Sequence, residues 1–205
     1  TTLEDGTVKI VQATAQPGDV RYVDVDGNGS INDDDRVYCG SPLPKFEAGL
    51  NATVEYKGFD FNMLWTSRYG NKIYNSVRQG TLASFVNNMP SDYFPWTWDN
   101  PSNENPRMYA NASDNTKGNT TRFLENGSFL KLKNLQLGYS LPETLSRKFF
   151  VQRLRVYVSA QNLWTITKYK GYDPELICTN VFAQGYDSGQ YPNARQYTFG
   201  LQVSF

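Results

Sequence analysis

The 205-residue chain carries 20 Lys and Arg against 20 Asp and Glu, so its formal net charge is zero. With no basic run, this excludes a nucleic-acid binder of the ordinary electrostatic kind. It has no histidine, which removes both the commonest general base and the commonest transition-metal ligand.

Aromatic residues reach 15%, mostly Tyr and Phe. Such rings suit membrane interfaces, strand faces and binding loops. No apolar run is long enough for a spanning helix. Thr1-Thr2-Leu3-Glu4-Asp5 carries no signal peptide, so export would need a signal upstream, as in a fragment of a longer protein. Cys39 and Cys178 match no zinc spacing, and whether they pair is left open by the sequence.

In chain order, the first feature is Asp24-Val25-Asp26-Gly27-Asn28-Gly29-Ser30-Ile31-Asn32-Asp33-Asp34-Asp35. Its spacing matches a twelve-residue calcium loop. Asp24, Asp26 and Asn28 stand at positions one, three and five, and Gly29 at the turn. Ser30 offers its carbonyl, Asn32 binds directly or through water, and Asp35 stands at twelve. A structural Ca2+ is the expected cofactor. Two features depart from the pattern: Asp instead of Glu at twelve, and flanks that read as extended. The competing reading is a solvated turn loop without metal.

Period-two alternation then dominates. Phe46, Ala48, Leu50, Ala52, Val54 and Tyr56 share one face, and Lys57-Gly58 makes a tight turn into Phe59, Phe61, Met63 and Trp65. Further strands are expected at 129–140, 154–165 and 196–205, beside 46–56 and 59–68. Leu130 and Leu132 are out of phase with Leu135, Leu137 and Tyr139, which predicts a β-bulge near Lys133-Asn134. The stretch after Pro142 predicts one helical turn.

The connections run long, short, long, short, long: residues 1–45, Lys57-Gly58, 69–128, about 141–153 and 166–195. Outer-membrane barrels alternate long extracellular loops with short periplasmic turns. The expectation is therefore an all-β fragment: the C-terminal antiparallel strands of a large transmembrane β-barrel. Residues 1–45 form an extracellular loop, and 46–205 supply the last five strands, with long loops 69–128 and 166–195. The predicted lipid face includes Phe46, Leu50, Phe61, Met63, Val156, Phe199 and Leu201. The alternative is a soluble secreted, calcium-stabilised β-domain binding carbohydrate or protein, which must bury that face.

One loop region, 87–112, is rich in rings and amides. Tyr93, Trp96, Trp98 and Arg107 are candidate ligand or partner contacts, against the simpler reading that the rings pack the loop itself. No acid–base or nucleophile constellation is present, so an enzyme is not expected.

Several blocks resemble the SusC/RagA family of TonB-linked outer-membrane proteins of Bacteroidetes. They are Pro17-Gly18-Asp19-Val20-Arg21-Tyr22, Gly40-Ser41-Pro42-Leu43-Pro44, Asn126-Gly127-Ser128-Phe129-Leu130-Lys131-Leu132-Lys133-Asn134, Leu137-Gly138-Tyr139-Ser140-Leu141-Pro142, Gln161-Asn162-Leu163-Trp164-Thr165, Tyr169-Lys170-Gly171-Tyr172-Asp173-Pro174-Glu175 and Tyr191-Pro192. The resemblance implies a plugged barrel in the outer-membrane lipid, with long loops outside and the C-terminus periplasmic. It also implies a SusD-like surface lipoprotein as partner and TonB contact through a missing N-terminal region. The implied substrates are oligosaccharides or peptides.

Overall fold

The computed structural model describes residue 6 and residues 10–83, 89–109, 114–178 and 180–205. The chain divides into two compact units, Thr1–Gly40 with Ser76–Phe123, and Ser41–Asn75 with Leu124–Phe205.

The second unit is built on strands β1 (Phe46–Tyr56), β2 (Phe59–Tyr69), β3 (Lys72–Asn75), β4 (Leu124–Asn126), β5 (Phe129–Ser140), β6 (Arg153–Thr167), β7 (Tyr186–Asp187) and β8 (Gln196–Ser204). Five of them form one antiparallel sheet in the order β1-β2-β5-β6-β8. Each strand pairs with the next large strand along the chain, as hairpin succession requires.

Lys57 and Gly58 both take positive φ, 47° and 87°. This left-handed geometry suits the two-residue turn that closes the Tyr56–Phe59 pair. A side chain at Gly58 would meet the Ser140 carbonyl at 2.7 Å. Further on, the ladder skips Lys133: Trp65 pairs Leu132, and Leu64 pairs Asn134. That bulge shifts β5 by one residue and restores its apolar phase. After Pro142 the chain makes a single helical turn, α2 (Glu143–Ser146), followed by a 3₁₀ turn. Helix α1, Ser76–Ala83, precedes it in the chain and lies in the first unit.

The register sorts the side chains cleanly. Phe46, Leu50 and Val54 face Tyr69, Trp65 and Phe61. These continue into Leu130, Leu132, Leu135 and Leu137 on β5, then Val156, Val158 and Trp164 on β6, and Leu201 and Phe199 on β8. Ser67 interrupts this apolar surface, and its hydroxyl donates to the Phe129 carbonyl at 2.9 Å, so it asks nothing of the surroundings. The opposite face carries Asn51, Thr53, Asn62, Gln136, Ser159, Thr198 and Gln202.

The apolar surface is exposed: Phe199 is 82% and Leu201 64% accessible. A soluble module would have to cover so large a patch. Rings pair at both ends of the strands. Phe46 lies 5.5 Å from Tyr69 at one end, and Phe59 4.6 Å from Tyr139 at the other. Eleven-residue strands run ~34 Å and, tilted ~40°, rise ~25 Å, the height of a barrel's lipid band. Among the described residues no helix is long and apolar enough to cross a membrane, which says nothing of strands.

The connection 69–128, expected as a loop, contains regular structure. β3 pairs antiparallel with β4 and parallel with β7, which ties two connections of the second unit into a small three-stranded sheet. Ile73 is buried there, against Gly127.

Candidate functional site

In the acidic loop, Asp24, Asp26 and Asp35 bring carboxylate oxygens within 4.8 Å of one another. The curvature comes from short-range hydrogen bonds. Gly27 and Gly29, both at positive φ, donate N–H to Asp24, and Val25 and Asn32 donate to Asp35. Asn32 caps a 3₁₀ turn by accepting from the Asp34 N–H. Asn28 accepts from the Ser30 N–H and donates its amide to Asp26. Three like charges held this close favour a hard cation, which takes carboxylate and carbonyl oxygens. The donor set fits Ca2+, and the same oxygens also serve the turn.

The aromatic loop is organised around Arg107. Its guanidinium meets Asp19 through Nε–Oδ1 at 2.6 Å and Nη2–Oδ2 at 3.1 Å, a two-pronged pair. It also stacks over Tyr109 at 4.3 Å. Asn115, buried, accepts from the Val20 N–H and donates to Asp19 and to the Arg107 carbonyl. Burial by itself would raise the Asp19 carboxyl, but bonds from Arg107, Gln16 and Asn115 hold it below its ordinary value. Arg107 therefore ties this loop to Asp19 in segment 1–45, within the first unit. Trp96 packs on Gly18, where a side chain would clash at 2.3 Å, and stands edge-on to Trp98 at 5.0 Å. The Tyr93 hydroxyl donates to the Pro106 carbonyl. Trp98, 78% accessible, presents the open ring. Residues 87, 88 and 110–112 of this region lie outside the described residues.

Two clusters on the polar face of the sheet escape sequence reading. Arg155 on β6 reaches Asp60 on β2 across Gly138 of the intervening β5, at 2.9 and 2.5 Å. Tyr157, flanked across the strands by Gly138 and Gly200, lies over Gly200. A groove of about 660 Å³ runs past this pair, lined by Glu55, Asn62, Gln136, Arg153 and Gln202 among others. Higher on the same face, Lys131 meets Asp173 and Glu175 at 2.9 Å, and Lys133 meets Glu175 at 2.6 Å. Burial would raise both carboxyls, yet the lysines beside them hold both below the usual range. The Tyr169 hydroxyl, buried and donating to Asp187, is pushed up. Lys131, Lys133, Tyr169, Asp173 and Glu175 stood in the sequence only inside motif blocks, and Asp60 and Arg155 in none; nothing local told which residue meets which.

No protein-family model matches the chain. Curated relatives do. TonB-dependent receptor P3 of Formosa agariphila is 36% identical over 98% of this chain and 20% of its own length. TonB-dependent receptor SusC of Bacteroides thetaiotaomicron is 28% identical over 96% and 19%. Among solved structures, the RagAB peptide transporter superposes with a TM-score of 0.70 at 32% identity, over 89% of this chain and 20% of that one. The chain belongs to the SusC/RagA family of TonB-dependent receptors.

It spans about one fifth of the length of these relatives. SusC/RagA barrels are large β-barrels of the outer membrane, and the sheet has the apolar and polar faces that a strand of such a barrel carries. The free edges of β1 and β8 are then the positions where further barrel strands pair, because a barrel leaves no edge in lipid.

Proposed function

We propose that this chain is wall and loop of a TonB-dependent outer-membrane importer of oligosaccharides or peptides, working with a SusD-like surface lipoprotein. The observation that carries the reading is the two-faced sheet: rings at both ends of an exposed apolar band, and a polar face on which Arg68 meets Glu47 and Arg155 meets Asp60. A permeation wall needs that neutral, hydrogen-bonding interior. The peptide branch draws support from the RagAB peptide transporter, and the oligosaccharide branch from the exposed Trp98 beside Trp96.

Long connections outside and short ones in the periplasm would leave the C-terminus periplasmic. Segment 1–45 would then be an extracellular loop, and TonB would act through a region upstream. The acidic loop is read as a structural Ca2+ site held by Asp24, Asp26, Asn28, Ser30, Asn32 and Asp35, supported by the convergence of its three carboxylates. The test is uptake by cells carrying or lacking the full-length protein, using labelled oligosaccharides and labelled peptides. Accumulation of one class only in its presence supports the reading; equal uptake of both without it refutes the importer.

A further inference from the structure

We propose that stretch 168–175, backed by 186–193, is a strap latched over the inner face of β5, and that Lys131, Lys133, Asp173, Glu175 and Asn193 form its latch. The proposal rests on the barrel reading only in calling the polar face the inner one.

Lys131 projects from the polar face of β5, where its strand partners Thr66 and Thr165 are half-buried. Yet its residue is 1% accessible. Its ammonium contacts both Asp173 oxygens and one Glu175 oxygen, each at 2.9 Å. The strap supplies these partners, so the strap is what takes this lysine out of water. The bulge at Lys133 brings a second cation to Glu175.

The strap is also tied to itself. Asn193 donates its side-chain amide to Asp173 and Glu175 and its backbone N–H to Asp173. The Glu175 N–H returns to Asp173. Behind the latch, the Tyr169 hydroxyl donates to the buried Asp187, which also accepts from the Gly189 N–H. β7 there runs beside β3. β7 and the Lys170 N–H, which donates to Glu125 of β4, anchor the base of the strap, so lifting the latch frees the stretch around Asp173 and Glu175.

Two lysines and two carboxylates balance in charge. Removing one partner strands a buried charge, which costs far more than hydrating all four together. The strap thus has two favourable states, closed with every charge paired or lifted with every charge in water, and half-open forms are penalised. Closed, it covers the polar face of β5 at the end away from the Lys57-Gly58 turn. Lifting it is the local opening step.

The test is amide hydrogen exchange on the full-length protein in detergent, following peptides from 168–175, 186–193, β5 and β6. In the Asp173→Asn, Glu175→Gln double variant, strap peptides should exchange about tenfold faster while β5 and β6 keep their wild-type rates. If the double variant does not fold, Glu175→Gln alone leaves Lys131 on Asp173 and should show a smaller acceleration confined to the strap. Unchanged strap exchange would overturn the proposal, as would loosening of strap and strands together. Faster strap exchange in the variant, with no uptake of either ligand class by the wild type, would count against the importer reading and leave the latch standing.

Discussion

Asp60 and Arg155, 95 residues apart, join β2 to β6 by a two-pronged ion pair laid over Gly138 of the strand between them. A side chain at Gly138 would sit 2.4 Å from an Asp60 oxygen and 2.7 Å from the Arg155 Nη2. Glycine is required there for room and not for backbone freedom, since its φ is not among the positive ones. Gly138→Ala should destabilise the folded barrel by about 1–3 kcal/mol through overpacking. The measurement is thermal unfolding of the full-length protein in detergent. An unchanged midpoint would mean that the pair relaxes at no cost.

The lipid face sets a depth rule. Met63 and Leu135 lie mid-strand and face each other across β2 and β5, whereas Tyr56 lies at the turn end. Met63→Arg or Leu135→Arg should cost about 2–4 kcal/mol of folding free energy, and Tyr56→Arg about 0–1 kcal/mol. Thr53→Arg, on the inner face, serves as control and should refold like wild type. Refolding into lipid vesicles followed by denaturant titration reads all four.

Acid should release the latch. Asp173 and Glu175 have folded values lowered below the ordinary ones. Their contribution is therefore full above the unfolded carboxylate range and falls as pH drops through the lowered values, below roughly pH 4. Exchange of strap amides measured from pH 7 to pH 3, corrected for intrinsic rates, should stay flat and then rise at the acid end. The opposite trend, loosening as pH rises from 5 to 7, would contradict the sign.

Calcium should stabilise the acidic loop. At a free concentration one hundred times its Kd, one bound ion adds about 2.7 kcal/mol. Proteolytic cleavage within residues 24–35 should slow accordingly. The Asp24→Asn, Asp35→Asn variant should lose the response, and a wild type indifferent to calcium and to chelator would favour the metal-free turn.

Trp98 and Arg107 should separate by phenotype. Arg107→Ala removes the partner of a largely buried Asp19 carboxylate and should loosen the loop. Trp98→Ala leaves the loop intact and, if the exposed ring meets ligand, weakens binding about tenfold. Proteolysis and ligand titration together distinguish the two outcomes.

What the sequence determined by itself is what strands encode locally. Side chains alternate with period two, so the run from Phe46 to Tyr56 and the terminal Tyr197, Phe199, Leu201 and Val203 declare their faces without reference to any partner. The phase break between Leu132 and Leu135 likewise announces a bulge. Curvature of the acidic loop is local too, since its hydrogen bonds join residues at most ten apart.

Only the tertiary structure decided which charges meet. Arg107 looked available for ligand until Asp19, 88 residues away, was found holding it. Lys131 stood in the sequence only inside a motif block, and the fold brings Asp173 and Glu175 over it. The physical reason is that an ion pair depends on distance in space. For residues 42 to 95 positions apart, that distance is set by strand register and by how a connection folds back, neither of which is written in the neighbourhood of the residue itself.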